Sequence, residues 1–192
     1  MQAADIATHY LIDLRCSLSS VSDVRKRTLS QQRDNATLHR WQSEVGLLNR
    51  FLWLRSCDRD GDFLNWLEEM PSIRSCERHI LRLTNAICRE RVEGAGICEI
   101  RRYQIIPGQS QTFLNLYLAV AEVRESYSPC GGFWRVEGSR YEEILHIWPY
   151  ADSAERQRCR AQASQDERMM AYAAAIAPLI VSQSNELFVE LT

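Results

Sequence analysis

Six side chains able to do chemistry sit at alternate positions of two short apolar stretches. His146, Trp148 and Tyr150 fall two residues apart in Tyr141–Tyr150, and Glu99, Arg101 and Tyr103 do the same in Ile97–Ile105. In a strand, side chains alternate between faces, so each trio shares one face. The combined set is a carboxylate, a guanidinium, two phenols, an imidazole and an indole. An arginine grips a carboxylate or enolate through paired donors, and a histidine titrates near neutral pH. The pattern therefore points to metal-free chemistry on a small acidic molecule. Arg101 fixes it, His146 or Tyr103 moves a proton, Trp134 and Trp148 form an apolar wall, and Glu99 and Tyr150 complete the lining. A plainer reading stands beside this one. Glu99 and Arg101 form a structural ion pair, repeated by Asp13 and Arg15, because buried charges need partners. His146 is then a satisfied core residue, and the tryptophans are packing at a sheet interface.

The elements that must place these residues are legible around Gly131–Tyr150, GGFWRVEGSRYEEILHIWPY. It reads as two strands joined by a tight turn at Val136–Arg140, where Gly138 permits the backbone. Glu142, Ile144, His146, Trp148 and Tyr150 share one face of the second arm; Tyr141, Glu143, Leu145 and Ile147 share the other. The aliphatic face suits packing under helices, which leaves the chemical face to line a pocket. Asp152 with Glu155 three residues on is a capping box for a helix over Asp152–Ala163. An alanine-rich helix follows over Asp166–Ala177, then a final strand within Pro178–Glu190. Upstream of the hairpin, Ile97–Ile105 is a strand and Gly108–Glu125 a helix with Phe113, Leu116, Tyr117 and Val120 on one stripe.

The first half shows the same order. Strands are expected over His9–Ser17, Thr37–Val45, Leu47–Cys57 and Arg78–Ile87, with helices over Ser19–Asn35 and Asp60–Glu69, the latter burying Phe63, Leu64 and Leu67. Charged Cys88–Gly96 reads as the linker, dividing the chain into residues 1–92 and 93–192. Each half thus reads β-α-β-β-α-β, the ferredoxin-like order. Trp41-x-x-Glu44 aligns with Trp134-x-x-Glu137, and Phe51–Arg55 with Ile144–Trp148. Leu14-Arg15 is set against Ile100-Arg101, and Asp13 against Glu99. An internal duplication with a drifted first copy explains this, against the alternative of an unrelated extension. Trp53 and Arg55 stand at the positions of His146 and Trp148, so a single site in the second half is expected.

The stretch Gly-Phe-Trp, a turn, His-x-Trp-x-Tyr, then Ser-x-x-Glu-Arg resembles the central signature of the NIPSNAP family. Cys98–Tyr103 with Pro107-Gly108 is similar to that family's opening, and Ala177–Asn185 to its closing strand. The likeness covers about Ile97–Leu191. It implies a dimeric α+β barrel, in which two ferredoxin-like sheets pack face to face. With the second sheet supplied by the same chain, the barrel is intrachain, and Glu99, Arg101 and Tyr103 are expected to point into it. Barrels of this superfamily commonly act on aromatic, polyketide or terpenoid-like compounds as cofactor-independent monooxygenases, isomerases or cyclases, and some bind haem. Members tied to vesicle or mitochondrial processes imply instead a non-catalytic binding or interaction module. A deep polar cavity around His146 favours the enzyme, a barrel filled with side chains the module.

Composition sets limits. A net charge of −2 offers no basic surface to nucleic acid and no polybasic membrane anchor. Lys26 is the sole lysine, on a polar stretch, which discounts Schiff-base chemistry. Seven scattered cysteines show no CxxC or other metal-ligand spacing, so neither a disulfide framework nor a zinc site is expected. No phosphate-binding glycine loop or nucleophile elbow is found, no apolar run approaches membrane-spanning length, and no signal peptide is expected. The expectation is a cytoplasmic protein with a small-molecule partner and no cofactor, either a monomeric pseudo-dimer or a further homo-oligomer.

Overall fold

The computed structural model describes residues 8–31, 36–56, 61–84 and 95–191. Most of the expected linker, the last residues of the strand expected to end at Ile87, and the side chains of Phe63 and Leu64 lie outside the described residues. In chain order the elements are β1 Thr8–Cys16, α1 Val21–Ser30, β2 Thr37–Val45, β3 Arg50–Arg55, α2 Gly61–Glu68 and β4 Ile73–Leu83. There follow β5 Ile97–Ile105, α3 Ser110–Leu118, α4 Ala121–Tyr127, β6 Gly132–Glu137, β7 Glu142–Tyr150, α5 Ser153–Gln165, α6 Glu167–Ile176 and β8 Ile180–Glu190. Among the described residues no helix is long and apolar enough to cross a membrane.

Local signals explain most boundaries. Gly46, at φ 120°, turns the chain after β2, so β3 starts at Arg50 rather than Leu47. Asp152 accepts the Glu155 N–H at 2.8 Å and starts α5. The Glu142 carboxylate accepts from the N–H groups of Gly108 (2.6 Å) and Ser110 (2.9 Å), tying the entry of α3 to β7. The single helix expected over Gly108–Glu125 is two, because Val120 leaves helical geometry (φ −120°, ψ 6°). The fourth strand begins at Ile73, five residues ahead of Arg78, the expected start, because β4 stays paired with β1 down to Ile73.

The fold is α+β, and its eight strands close in the order β1-β3-β2-β8-β5-β7-β6-β4, every pairing antiparallel. Two pairings join strands from before and after residues 85–94: Trp41–Val45 of β2 against Leu187–Glu190 of β8, and Ile80–Leu83 of β4 against Trp134–Glu137 of β6. The interior is packed with Leu11, Trp41, Leu52, Ile100, Leu145, Ile147 and their neighbours. Outside, Tyr103, Phe133, Ile144 and Trp148 pack with side chains of α3, α5 and α6. Ile12, Phe51 and Trp53 pack with Val24 of α1 in the same way.

Two expectations about faces are corrected. The aliphatic face of β7 looks into the barrel, and the chemical face looks out beneath the helices. On β7 the inward side chains Leu145 and Ile147 join the apolar cluster of the interior, whereas the helices can bring partners to the polar face. Glu99, Arg101 and Tyr103 therefore point away from the interior. Second, Asp13 is not the counterpart of Glu99. It lies inside the barrel and takes a bidentate contact from Arg50 (2.9 and 2.7 Å), not Arg15, while Arg50 also bonds Glu186 across the halves. Asp13 falls at the position of Arg102, so pairing it with Glu99 is out by three residues, and an odd slip exchanges every face.

Candidate functional site

Strands β5 and β7 lie side by side, with Glu99 opposite Trp148, Arg101 opposite His146 and Tyr103 opposite Ile144. The Glu99 side chain is fully buried beneath α5. One carboxylate oxygen takes Nη2 of Arg101 at 2.8 Å. The other takes Nη2 of Arg156 and Nη1 of Arg160, each at 2.8 Å. Arg156 and Arg160 are one helical turn apart, so α5 aims both at the same oxygen. Burial pushes the Glu99 carboxyl up, but the charge of Arg101 and the hydrogen bonds from Arg156 and Arg101 outweigh it, and the group titrates below the usual carboxylate range. The charged run Glu155–Arg160 thus supplies two of the three cations on Glu99.

His146 is 4% exposed and ringed by Tyr103 (4.8 Å between centroids), Phe133 (4.9 Å) and Trp148 (5.8 Å). Its Nδ1 lies 2.6 Å from the indole nitrogen of Trp148. An indole N–H can only donate, so Nδ1 accepts and the neutral ring carries its hydrogen on Nε2. Among the described residues that Nε2 has no hydrogen-bond partner. Burial, then the charges of Arg101 and Arg124, hold the imidazole well below its usual pKa. In this arrangement His146 is a neutral donor, and no base lone pair faces outward from it.

Arg124 completes the layer. It comes from α4, is 7% exposed, and sets its guanidinium carbon 3.7 Å from the Trp148 ring centre. Its Nη2 donates to the Tyr150 hydroxyl at 3.3 Å, and its buried Nη1 has no partner among the described residues. Burial, then Tyr103, raise the Tyr172 phenol above its usual value. Arg124 escaped the sequence reading, although it continues the helical stripe through Tyr117 and Val120.

Trp134 does not join this group. Its β6 side chain is fully buried in the barrel and its indole N–H donates to His9 Nδ1 at 3.3 Å. The structure thus brings together Glu99, Arg101, Tyr103, His146, Trp148 and Tyr150 and sets Trp134 on the other side of the sheet. A separate cavity of about 20 Å³ at one barrel end is lined by His39, Trp41, Cys98, Ile147 and Glu190, with His39 Nδ1 3.1 Å from Glu190. It has room for about one water.

Residues 98–192 match the NIPSNAP family model. The human protein NipSnap homolog 3A is 33% identical over 70 residues, which cover 36% of this chain and 28% of that protein. The zebrafish (Danio rerio) protein NipSnap homolog 1 is 25% identical over 157 residues, 80% of this chain and 56% of that one. The chain therefore spans between about a quarter and a half of these relatives. Among solved structures, monooxygenase-like proteins of Fusobacterium nucleatum and Lactobacillus acidophilus share the fold. The first has a TM-score of 0.74 at 8% identity, covering 100% of this chain and 94% of its own. For the second the values are 0.68, 9%, 97% and 95%.

Proposed function

Taking residues 98–192 as a NIPSNAP domain, we propose that the chain is a single-chain barrel of two ferredoxin-like halves, residues 1–92 and 93–192. In this reading the layer between β5, β7 and helices α4–α6 binds a small molecule and does not pass protons through His146. Both halves order their strands alike, β4-β1-β3-β2 and β8-β5-β7-β6, which supports the tandem reading. The zebrafish alignment, at 157 residues, is longer than the 95 residues of 98–192 and so runs into the first half. Ile12 opposite Trp53 corresponds to Arg101 opposite His146, so the first half is apolar where the second is charged. One site, in the second half, follows.

The observation that carries the binding reading is the polar set itself. Arg101, Arg124, His146, Tyr103, Tyr150 and Tyr172 converge where an apolar layer would pack as well. Buried polar groups cost stability unless something pairs them. The imidazole, neutral and with Nδ1 engaged, suits holding a ligand better than abstracting a proton, and this favours a binding module over an isomerase, cyclase or monooxygenase working through His146. A screen of small aromatic and aliphatic molecules against the chain, labelled with 15N-histidine, tests this. Binders are expected to move the His146 ring signals, and substitution of His146 by Gln is expected to weaken them. Binders that leave His146 untouched would place the site elsewhere.

A further inference from the structure

Four arginines, Arg101, Arg124, Arg156 and Arg160, enter the layer described above, and the carboxylate bonded there is Glu99. Glu99 reaches three of them. Arg124 is left with a phenol hydroxyl at 3.3 Å and the face of an indole, and makes no ion pair among the described residues. An uncompensated buried guanidinium is costly, and an indole face offset by stacking gives Nη1 no lone pair to bond. The remaining nitrogens without partners are of one kind. Arg101 Nε, Arg124 Nη1, Arg156 Nε and His146 Nε2 are all N–H donors, and all are buried. Water could satisfy donors and acceptors alike; a set of donors alone, on a positive background, is complementary to an acceptor that carries negative charge.

Resting on the reading that this layer is the binding site, we propose that its ligand is a small organic anion whose carboxylate or enolate oxygen is held by Arg124, Arg101 and the Nε2–H of His146. The body of the ligand is planar and apolar, because the buried rings of Tyr103, Phe133 and Trp148 lie in the apolar cluster around these donors. Such a ligand accounts for Arg124, which otherwise stacks on Trp148 at the cost of an unpaired buried charge. It also gives His146 a task that a fixed Nε2–H can perform. Arg156 stands nearer the rim, with its side chain 21% exposed, and Arg160 further out at 42%, so a negatively charged molecule arriving along α5 meets cations before it meets the buried donors.

The test compares benzoate with benzamide, at constant ionic strength set by sodium chloride, in the whole chain and in Arg124→Met. Melting temperature and the 15N-histidine spectrum are read together. In the unsubstituted chain benzoate is expected to raise the melting temperature and shift the His146 Nε2–H signal, with benzamide doing neither. In Arg124→Met the melting temperature in chloride alone is expected to stay level or rise, because an unpaired buried charge has gone. Its benzoate affinity is expected to fall about tenfold or more. A structural Arg124 gives the opposite result, a lower melting temperature and an unchanged benzoate response, and that would overturn the inference. If benzamide binds and moves His146 while benzoate does not, the anion is refuted and the binding site survives. If neither compound moves His146 or the melting temperature, the anion reading falls and the site loses its support with it.

Discussion

Acid should destabilise this protein through His146, and replacing that residue with Gln should remove the effect. The folded-state pKa of His146 lies below that of an unfolded histidine, because burial and the charges of Arg101 and Arg124 disfavour the imidazolium. Below about pH 6.5 the unfolded chain therefore binds a proton that the native chain refuses, and stability falls as pH falls. Each pH unit through which the unfolded chain holds this proton and the native chain does not is worth about 1.4 kcal/mol, so a histidine neutral throughout costs at most about 2 kcal/mol between pH 6.5 and pH 5. Gln cannot titrate, and its side-chain oxygen can still accept from the Trp148 indole. At pH 8 the variant should be less stable by about 1–3 kcal/mol, from lost packing and an imperfect hydrogen bond. Urea unfolding at pH 8, 7, 6 and 5 should show that gap closing toward the acid end, by up to about 2 kcal/mol. Burial also lowers the pKa of His9 and His79, but these act in both proteins and cancel in the difference. A gap that stays constant with pH would mean that His146 titrates normally in the native state, and the buried-donor assignment would be wrong.

Four further outcomes follow from the packing. Glu99→Gln should cost about 3–5 kcal/mol by chemical denaturation, since it leaves Arg101, Arg156 and Arg160 facing one another without their carboxylate; a cost below 1 kcal/mol would contradict the buried cluster. Arg50→Met strands Asp13 and Glu186 inside the barrel and should cost a similar amount at neutral pH, with part of the loss recovered in acid as the carboxylates protonate. Gly132→Ala places a Cβ 1.9 Å from the fully buried Trp134 ring, so a loss of about 1–3 kcal/mol or more is expected in the melting curve, and an unchanged curve would refute the close approach. Residues 96–192 expressed alone expose the inner face of Cys98, Ile100, Leu145, Ile147 and Phe188, and light scattering should find a homodimer or aggregate; a folded monomer would contradict the intrachain barrel.

The grouping of residues was legible in the sequence, and their direction was not. Period-two alternation correctly sets His146, Trp148 and Tyr150 on one face of β7, and Glu99, Arg101 and Tyr103 on one face of β5. It says nothing about which face turns inward. That is decided by what packs on each side, here a second sheet against the aliphatic face and helices against the polar one. The pairing of Asp13 with Glu99 failed for a related reason. Across β1 and β5 few residue types match, so a slip of three positions went unchecked, whereas in the hairpins Trp41 and Trp134 fix the register and both lie in the barrel. Trp134 could not be placed against Trp148 from sequence, because two adjacent strands carry separate alternations. Arg124 was the hardest to see. A lone arginine on a short helix reads as a solvated residue until the helix is known to lie across Trp148.

The four histidines make one spectrum the most direct test of His146 as a fixed, neutral donor. Long-range 1H–15N correlation of the imidazole rings distinguishes the two neutral tautomers and the cation for each residue. The prediction is that His146 carries its hydrogen on Nε2 and stays neutral from pH 8 down to pH 5, with Nδ1 showing the hydrogen bond from Trp148. An imidazolium appearing by pH 6, or a hydrogen resident on Nδ1, would contradict it and return His146 to the list of residues able to move a proton.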